Sequence, residues 1–213
     1  MVRSTEELTD KLARERIWRL KEISAIKTRG LSASTSPLDR SIMFRAGCVL
    51  FYAHWEGYVK TSSTLFLKYI SLQRIPLSNM ADFLASIYIR QTLGGQPSED
   101  EISKFCKFAL FSETFCPRIK YKLAIDLESN LSSKVLKKLC AQIGIDYVAF
   151  ETRSVFIDEI LLRNRNRVAH GEHGNIDSDT FENLSEQVTD LISIFHNQID
   201  NSVASSAYRK QGA

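Results

Sequence analysis

A cluster of side chains suited to phosphate chemistry lies at residues 163–171, which read Arg-Asn-Arg-Asn-Arg-Val-Ala-His-Gly. Histidine titrates near neutral pH and can move a proton, whereas arginine stays charged and binds phosphate through two parallel N–H groups. Asparagine can orient either group without adding charge. Arg165, Asn166 and His170 are therefore a chemically sufficient set for cleaving RNA without a metal, with His170 as general base or acid.

Helical spacing divides these residues between two faces. Four of them share one face at intervals of three and four: Arg163, Asn166, Arg167 and His170. We interpret Arg163 and Arg167 as phosphate contacts. Arg165 and His170 are five apart, which is about 140° around a regular helix. They can grip one phosphate only if the helix breaks at residues 169–171, or if Arg165 of one protomer serves His170 of another.

Simpler structural interpretations compete with this chemistry. Arginines and a histidine at the end of a helix also stabilise its dipole. His170, Glu172 and His173 begin a metal-ligand set, but no further ligand follows at a suitable spacing, so we predict no metal and no cofactor. His54 and His196 lie in helical patterns and are predicted to be structural.

A second polar stretch interrupts an otherwise apolar helix at residues 52–60, which read Tyr-Ala-His-Trp-Glu-Gly-Tyr-Val-Lys. Tyr52, Glu56 and Lys60 are four apart and line one face, so this stripe needs a partner. Glu56 and Lys60 are either an ion pair, or they border the active cleft together with Tyr52 and bind substrate. Gly57 predicts the close approach of another backbone or side chain.

Hydrophobic periodicity predicts that helices position these residues. The predicted helices are 4–30, 38–70 as one helix or two, 79–92, 98–111, 134–143, 150–169 and one that begins at 177–179. Ser4 and Ser98 are each followed three residues later by glutamate, the capping-box spacing. Gly30 is predicted to follow the first helix as its C′ residue. Residues 121–127 are interpreted as a small helix or a loop.

Strand signals are sparse, and the sequence contains no internal repeat and no glycine-rich phosphate loop. The predicted fold is therefore all-α, a helical bundle of one domain over residues 1–201 with an additional helical insertion in the middle of the chain. Residues 71–150 are the candidate inserted subdomain. Residues 202–213 are predicted to be a frayed polar tail.

Composition limits the classes of function that the chain can have. With 213 residues, 44% of them hydrophobic and 25% charged, the chain can bury a sizeable core. A net charge of only +3 means that any anion site must be local. Such a site could extend over a basic set that otherwise forms a solvated face: Arg118, Lys120, Lys122, Lys134, Lys137 and Lys138.

The four cysteines form no CxxC pair and are predicted to be buried free thiols in a reducing compartment. The first residues lack the apolar segment of a signal peptide, and no window reaches the roughly 18 apolar residues of a membrane span. We therefore expect a cytoplasmic protein that does not enter a membrane.

Two stretches of the sequence resemble the HEPN superfamily. Its nuclease members carry an arginine, a polar residue, three variable positions and a histidine, which here are Arg165, Asn166, residues 167–169 and His170, followed by Gly171. Residues 52–60 resemble the long helix of one HEPN branch found in prokaryotic conflict systems. The resemblance extends to the all-α architecture and covers both ends of the chain.

This resemblance implies a metal-independent endoribonuclease that leaves 2′,3′-cyclic phosphate ends. It also implies a homodimer with a composite active site, and a role as a toxin or antiviral defence effector with an antitoxin or ATPase as partner. The alternative is a catalytically inactive HEPN module that binds RNA or scaffolds a partner protein.

Overall fold

The computed structural model describes residues 2–95, 97–111 and 114–210, together with all side chains in these ranges except those of 108–111. Within these ranges the chain is helical and contains no strand beyond an isolated bridge between Met80 and Arg209. The prediction of an all-α fold is confirmed.

The helices follow one another along the chain with short connections. They are α1 (Thr5–Gly30), α2 (Pro37–Leu72), α3 (Asp82–Leu93), α4 (Glu99–Phe111), α5 (Tyr121–Ala124), α6 (Ser133–Ile143), α7 (Val148–Glu151), α8 (Arg163–Ala169) and α9 (Ser178–Ala204). A 3₁₀ turn occupies Leu77–Asn79, so α3 begins three residues later than predicted. A π-helical segment, Phe156–Leu162, directly precedes α8.

Three long helices, α1, α2 and α9, pack against one another and form the main core. Phe181 of α9 lies at their junction, where its ring stacks on Phe44 at a centroid distance of 4.3 Å. Gly30 and Gly47 make room for this ring, since a Cβ atom at either position would lie 2.6 Å from it. Gly30 is the last residue of α1 and not a C′ residue, so its predicted role is wrong and its function is close packing.

Helix α2 runs without interruption past both of its glycines, which selects one long helix over two. At Gly57 the guanidinium of Arg19 fills the space that a side chain would occupy, with Nη1 2.8 Å from the position of a Cβ atom. The predicted close approach at Gly57 is confirmed. Trp55 is fully buried between Phe150 and Phe195.

Capping residues define the helix ends as their side chains predict. Ser4 Oγ accepts a hydrogen bond from Glu7 N at 3.1 Å. In the second box, Ser98 Oγ accepts from Glu101 N at 3.3 Å, and the Glu101 carboxylate accepts from Ser98 N at 2.9 Å. Gly144 ends α6 in the left-handed region, with φ +70°.

The middle of the chain consists of short helices that pack against the long ones. Helix α5 contacts α2, and α3 contacts α6. The small helix expected within residues 121–127 is present as α5. The assignment of residues 71–150 as an inserted subdomain stays a prediction.

The C-terminal segment is ordered beyond the predicted boundary. Helix α9 continues to Ala204, and Tyr208 is buried with its Oη 3.3 Å from Tyr69 Oη. The predicted fraying is therefore wrong for residues 202–210, because apolar packing of Tyr208 holds the segment against α2. Residues 211–213 lie outside the described residues.

The cysteines divide into two classes. Burial raises the pKa of the Cys48 and Cys140 thiols to about 12. Cys106 and Cys116 are exposed, so the prediction of burial is wrong for these two. In the described part of the chain, no helix has the length and apolar character needed to cross a membrane.

Candidate functional site

A π-helical segment directly precedes the polar cluster at residues 163–171. Helix α7 ends at Glu151, and after a turn the π segment begins at Phe156, so the continuous helix predicted from residue 150 is wrong. The Arg163 N–H donates to the Asp158 carbonyl, five residues earlier. Because this widens the turn, Phe156 and Leu161 both face the core although they are five residues apart.

The polar cluster lies on a short helix that breaks at its histidine. Helix α8 ends at Ala169, and Gly171 adopts φ +75°, where glycine is favoured. The His170 N–H still donates to the Asn166 carbonyl at 2.9 Å, which keeps these two residues on one face. The helix therefore ends at residues 169–171. The composite arrangement, in which Arg165 of one protomer serves His170 of another, stays a prediction.

An open groove of about 360 Å³ runs along this face of α8. We call it the motif groove; its lining residues are Asp158, Glu159, Leu162, Arg163, Asn166, Arg167, His170 and Glu172. All four members of the predicted stripe line it. The side chain of His170 is exposed to solvent there.

Carboxylates accompany both arginines in the motif groove. Arg163 Nη1 lies 3.5 Å from Glu159 Oε2, and Arg167 Nε lies 3.4 Å from Glu172 Oε2. All four side chains are substantially exposed, and such pairs contribute only about 0–1 kcal/mol to stability. A phosphate group can therefore displace either carboxylate at low cost.

Arg165 lies beside the motif groove, next to Asn166, and is held from two sides. Its guanidinium carbon lies 4.9 Å from the centroid of the Tyr52 ring. Its Nη1 donates to Asn130 Oδ1 and to Asn166 Oδ1, both at 2.8 Å. Arg165 does not line the groove, but it contacts Asn166, which does. Arg165 thus contacts Asn166, and Asn166 lines the same groove as His170.

Tyr52 is the partner that supports Arg165 from α2. Its hydroxyl donates to Glu56 Oε1 at 3.0 Å and accepts from the Leu131 N–H at 2.6 Å. Burial of this side chain raises the pKa of the phenol. Lys60 is exposed, and the Glu56 carboxylate accepts from Tyr52; Glu56 and Lys60 form no ion pair within the described residues, so the ion-pair interpretation is wrong. Of the predicted stripe, only Tyr52 contacts a motif residue.

Two contributors to this site come from positions that carried no functional signal. Asn130, in the connection between α5 and α6, binds Arg165 across a separation of 35 residues. Asp158 lines the motif groove and accepts from both the N–H and the hydroxyl of Ser133, at 2.8 and 2.5 Å, at the start of α6. Both link the predicted insertion to the motif, and no local pattern reveals such long-range partners.

His54 and His196 have structural surroundings, as predicted. His196 Nδ1 lies 2.7 Å from the Tyr58 hydroxyl, and His54 Nε2 lies 3.3 Å from Glu22 Oε2. Burial lowers the pKa of both imidazoles. Across residues 2–95, 97–111 and 114–210, no three His, Cys, Asp or Glu side chains are grouped so that they could hold a metal ion.

Comparison with known proteins places the chain in a family. Neither the curated proteins nor the solved structures include a match to the sequence. The family model described as RiboL-PSP-HEPN matches residues 14–201, a range that contains both the stretch at 52–60 and the polar cluster. The chain therefore belongs to the RiboL-PSP-HEPN family and is a member of the HEPN superfamily.

Proposed function

We propose that this protein is a metal-independent endoribonuclease whose reaction takes place in the motif groove. The observation that carries the proposal is the shared face of Arg163, Asn166, Arg167 and His170 on α8, with Arg165 bound to Asn166 at its edge. This arrangement supports the proposal, because a histidine, two arginines and an amide, the side chains that such a reaction needs, line one open groove.

In the proposed reaction, His170 removes the proton from a ribose 2′-hydroxyl. The 2′-oxygen attacks the adjacent phosphorus, and the bond from phosphorus to the 5′-oxygen breaks. The leaving 5′-oxygen takes a proton from water, and His170 returns the proton that it removed to the solvent. The products are a 2′,3′-cyclic phosphate on one fragment and a 5′-hydroxyl on the other. Arg165 stabilises the charge on the phosphorane-like transition state, and Asn166 positions the groups.

Arg165 is suited to this role because part of its guanidinium remains available. Both of its hydrogen bonds use Nη1, while Nε and Nη2 make none within the described residues. Tyr52 and the two asparagines fix the plane of the group before substrate binds, which lowers the entropic cost of binding phosphate.

The experiment that tests this proposal is RNA cleavage by the purified protein in excess chelator, with analysis of the product ends. We expect 3′ fragments with a 5′-hydroxyl and 5′ fragments with a 2′,3′-cyclic phosphate. Cleavage that requires added divalent metal, or products with a 5′-phosphate, would contradict the proposed chemistry.

The proposed biological role is that of a toxin or defence effector in the cytoplasm. The active form is a homodimer with a composite site, restrained by an antitoxin or an ATPase partner. Expression of the protein should then inhibit growth, and His170→Ala should relieve that inhibition. Equal growth inhibition by both forms would count against this role.

A second candidate is a catalytically inactive HEPN module that binds RNA or scaffolds a partner protein. The observation in its favour is the charge of the motif groove, where Asp158, Glu159 and Glu172 outnumber Arg163 and Arg167. RNA or partner binding that survives His170→Ala, in a protein that cleaves no RNA, would select this candidate.

A further inference from the structure

A second groove lies at the other end of α2 from the motif groove. Its volume is about 700 Å³, and we call it the arginine groove; its lining residues are Arg3, Ser71, Leu72, Arg74, Cys116, Pro117 and Arg118. Tyr52, which supports Arg165, and Leu72, which lines the arginine groove, are separated by about 30 Å along the helix axis at 1.5 Å per residue. The two grooves are therefore distinct.

The lining of the arginine groove is positively charged, although the Glu7 carboxylate nearby accepts a hydrogen bond from the backbone N–H of Arg3 at 2.6 Å. Three guanidinium groups line it, and no carboxylate does so among residues 2–95, 97–111 and 114–210. The side chains of Arg3, Arg74 and Arg118 form no ion pair in the same ranges, in contrast to the paired arginines of the motif groove. Like charges that line one groove repel one another, so an anion bound in the groove is stabilised by these arginines.

The backbone at Arg74 supports a role for its side chain. Arg74 adopts φ +50°, in the left-handed region that residues other than glycine rarely occupy. The Cys116 thiol donates to the Arg74 carbonyl at 3.0 Å and helps to hold this turn. Glycine would adopt the conformation without strain, so an arginine here indicates that its side chain has a use.

The lining of the arginine groove defines the class of ligand. Among the described residues it contains no aromatic side chain, so it offers no platform on which a base could stack. Guanidinium groups favour phosphate oxygens, and the successive phosphates of one RNA strand can extend over the roughly 30 Å between the two grooves. The preferred ligand is thus the sugar-phosphate backbone of a strand long enough to span both grooves.

We infer that the arginine groove is a second RNA-binding site, which holds the backbone of a single strand whose other part lies in the motif groove. The choice of RNA as the ligand rests on the proposed function. Arg74 and Arg118 contact phosphates, and the length of RNA that the protein binds is set by the distance between the two grooves.

Binding of a labelled, unstructured 30-nucleotide RNA tests this inference. The parent protein carries His170→Ala so that it does not cleave the RNA. Arg74→Gly or Arg118→Gln is added to this parent as the test variant. Lys21→Gln, at an exposed position on α1 outside both grooves, is the control because it also removes one positive charge. We expect each groove variant to bind roughly 3- to 10-fold more weakly. The slope of log K against log salt should decrease by about 0.7 for each phosphate that the variant no longer neutralises. Arg74→Gly should keep or raise Tm.

Two outcomes would overturn the inference: affinities and salt slopes of the groove variants equal to those of Lys21→Gln, or no RNA binding by the parent protein at any salt concentration. If Arg74→Gly lowers Tm, Arg118→Gln is the deciding variant.

Thiol footprinting gives an independent test on the wild-type sequence. Cys116 lines the groove, while Cys106 on α4 is exposed and does not. RNA should slow alkylation of Cys116 by iodoacetamide several-fold and leave Cys106 unchanged, as read by peptide mass spectrometry. Equal rates at Cys116 with and without RNA would overturn the inference. Protection without cleavage would reject only the proposed nuclease activity, and cleavage without protection would reject only the arginine groove.

Discussion

Arg165 is held by groups from three separate parts of the chain. Tyr52 comes from α2, Asn130 from the connection before α6, and Asn166 from α8 itself. Two amide oxygens and one ring face fix the guanidinium, so its remaining N–H groups have a defined direction. The proposed transition-state contact therefore depends on Tyr52 and Asn130, which do not line the motif groove, as well as on Asn166, which does.

Replacing Asn130 by alanine tests this dependence. The change removes one hydrogen bond to Arg165, which contributes about 0.5–1.5 kcal/mol, so we expect a roughly 3- to 10-fold lower kcat for RNA cleavage. Asn201→Ala, at an exposed position on α9, is the control for removal of an asparagine and should cleave like the wild type. A kcat within twofold of wild type for Asn130→Ala would show that Asn130 does not position Arg165.

Buried His196 makes stability depend on pH in a predictable direction. Burial lowers its pKa in the folded protein below the value of about 6.5 found in unfolded chains, although the nearby Asp200 opposes this shift. The unfolded state therefore binds more protons as the pH falls below 6.5, and folding stability decreases there. Above that pH the stability contribution is fully present.

Thermal unfolding between pH 8 and pH 5 measures this effect. Tm should fall as the pH drops below about 6.5, and His196→Gln should flatten the fall relative to wild type. His173→Gln, at an exposed position, should leave the pH dependence unchanged. An identical pH profile for His196→Gln and wild type would exclude His196 as a contributor.

Helix α2 is the element on which the site and the core both depend. The Tyr52 ring of this helix contacts Arg165. Elsewhere on the same helix, Gly47 packs against the Phe181 ring. Helix α2 has 36 residues and contains glycines where neighbouring side chains pack closely. These glycines lower its intrinsic helix stability but allow the close packing.

The substitution Gly47→Ala tests whether helix propensity or packing against Phe181 has the larger effect on stability. Alanine favours a helix over glycine by about 1 kcal/mol, but its Cβ atom would lie 2.6 Å from Phe181 Cε2. We expect overpacking to dominate, with a net decrease of roughly 1–3 kcal/mol in the free energy of unfolding by denaturant. Ser41→Ala, at an exposed position on the same helix, should change it by less than about 0.5 kcal/mol. A more stable Gly47→Ala protein would contradict the packing role.

The sequence pattern predicted those features of the fold that depend on residues three or four positions apart in the chain. The capping boxes at Ser4 and Ser98 and the stripe that ends at His170 follow from spacings of three and four, which the chain itself determines. The π segment could not be predicted, because it arises when Phe156 and Leu161 are both drawn to the core. The Asn130 contact to Arg165 required the tertiary fold.

At the scale of the whole molecule, the proposed composite site requires two copies of the chain. If Arg165 of one protomer serves His170 of the other, a mixture of Arg165→Ala and His170→Ala proteins forms heterodimers with one intact site. After the two variants are unfolded and refolded together, we expect about a quarter of wild-type cleavage, because about half of the dimers are mixed and each has one of two sites. Each variant refolded alone is the control. No recovery in the mixture would place both residues of a site in one protomer.

The most direct test of the central claim is RNA cleavage in excess chelator by wild type, His170→Ala and His173→Ala. Both histidines are exposed and three residues apart, but only His170 lines the motif groove, so the two variants differ in chemistry and not in stability. We predict that His170→Ala lowers kcat roughly 100- to 10,000-fold with Tm unchanged, and that His173→Ala cleaves like wild type. Equal cleavage by all three proteins would contradict the assignment of the motif groove as the active site.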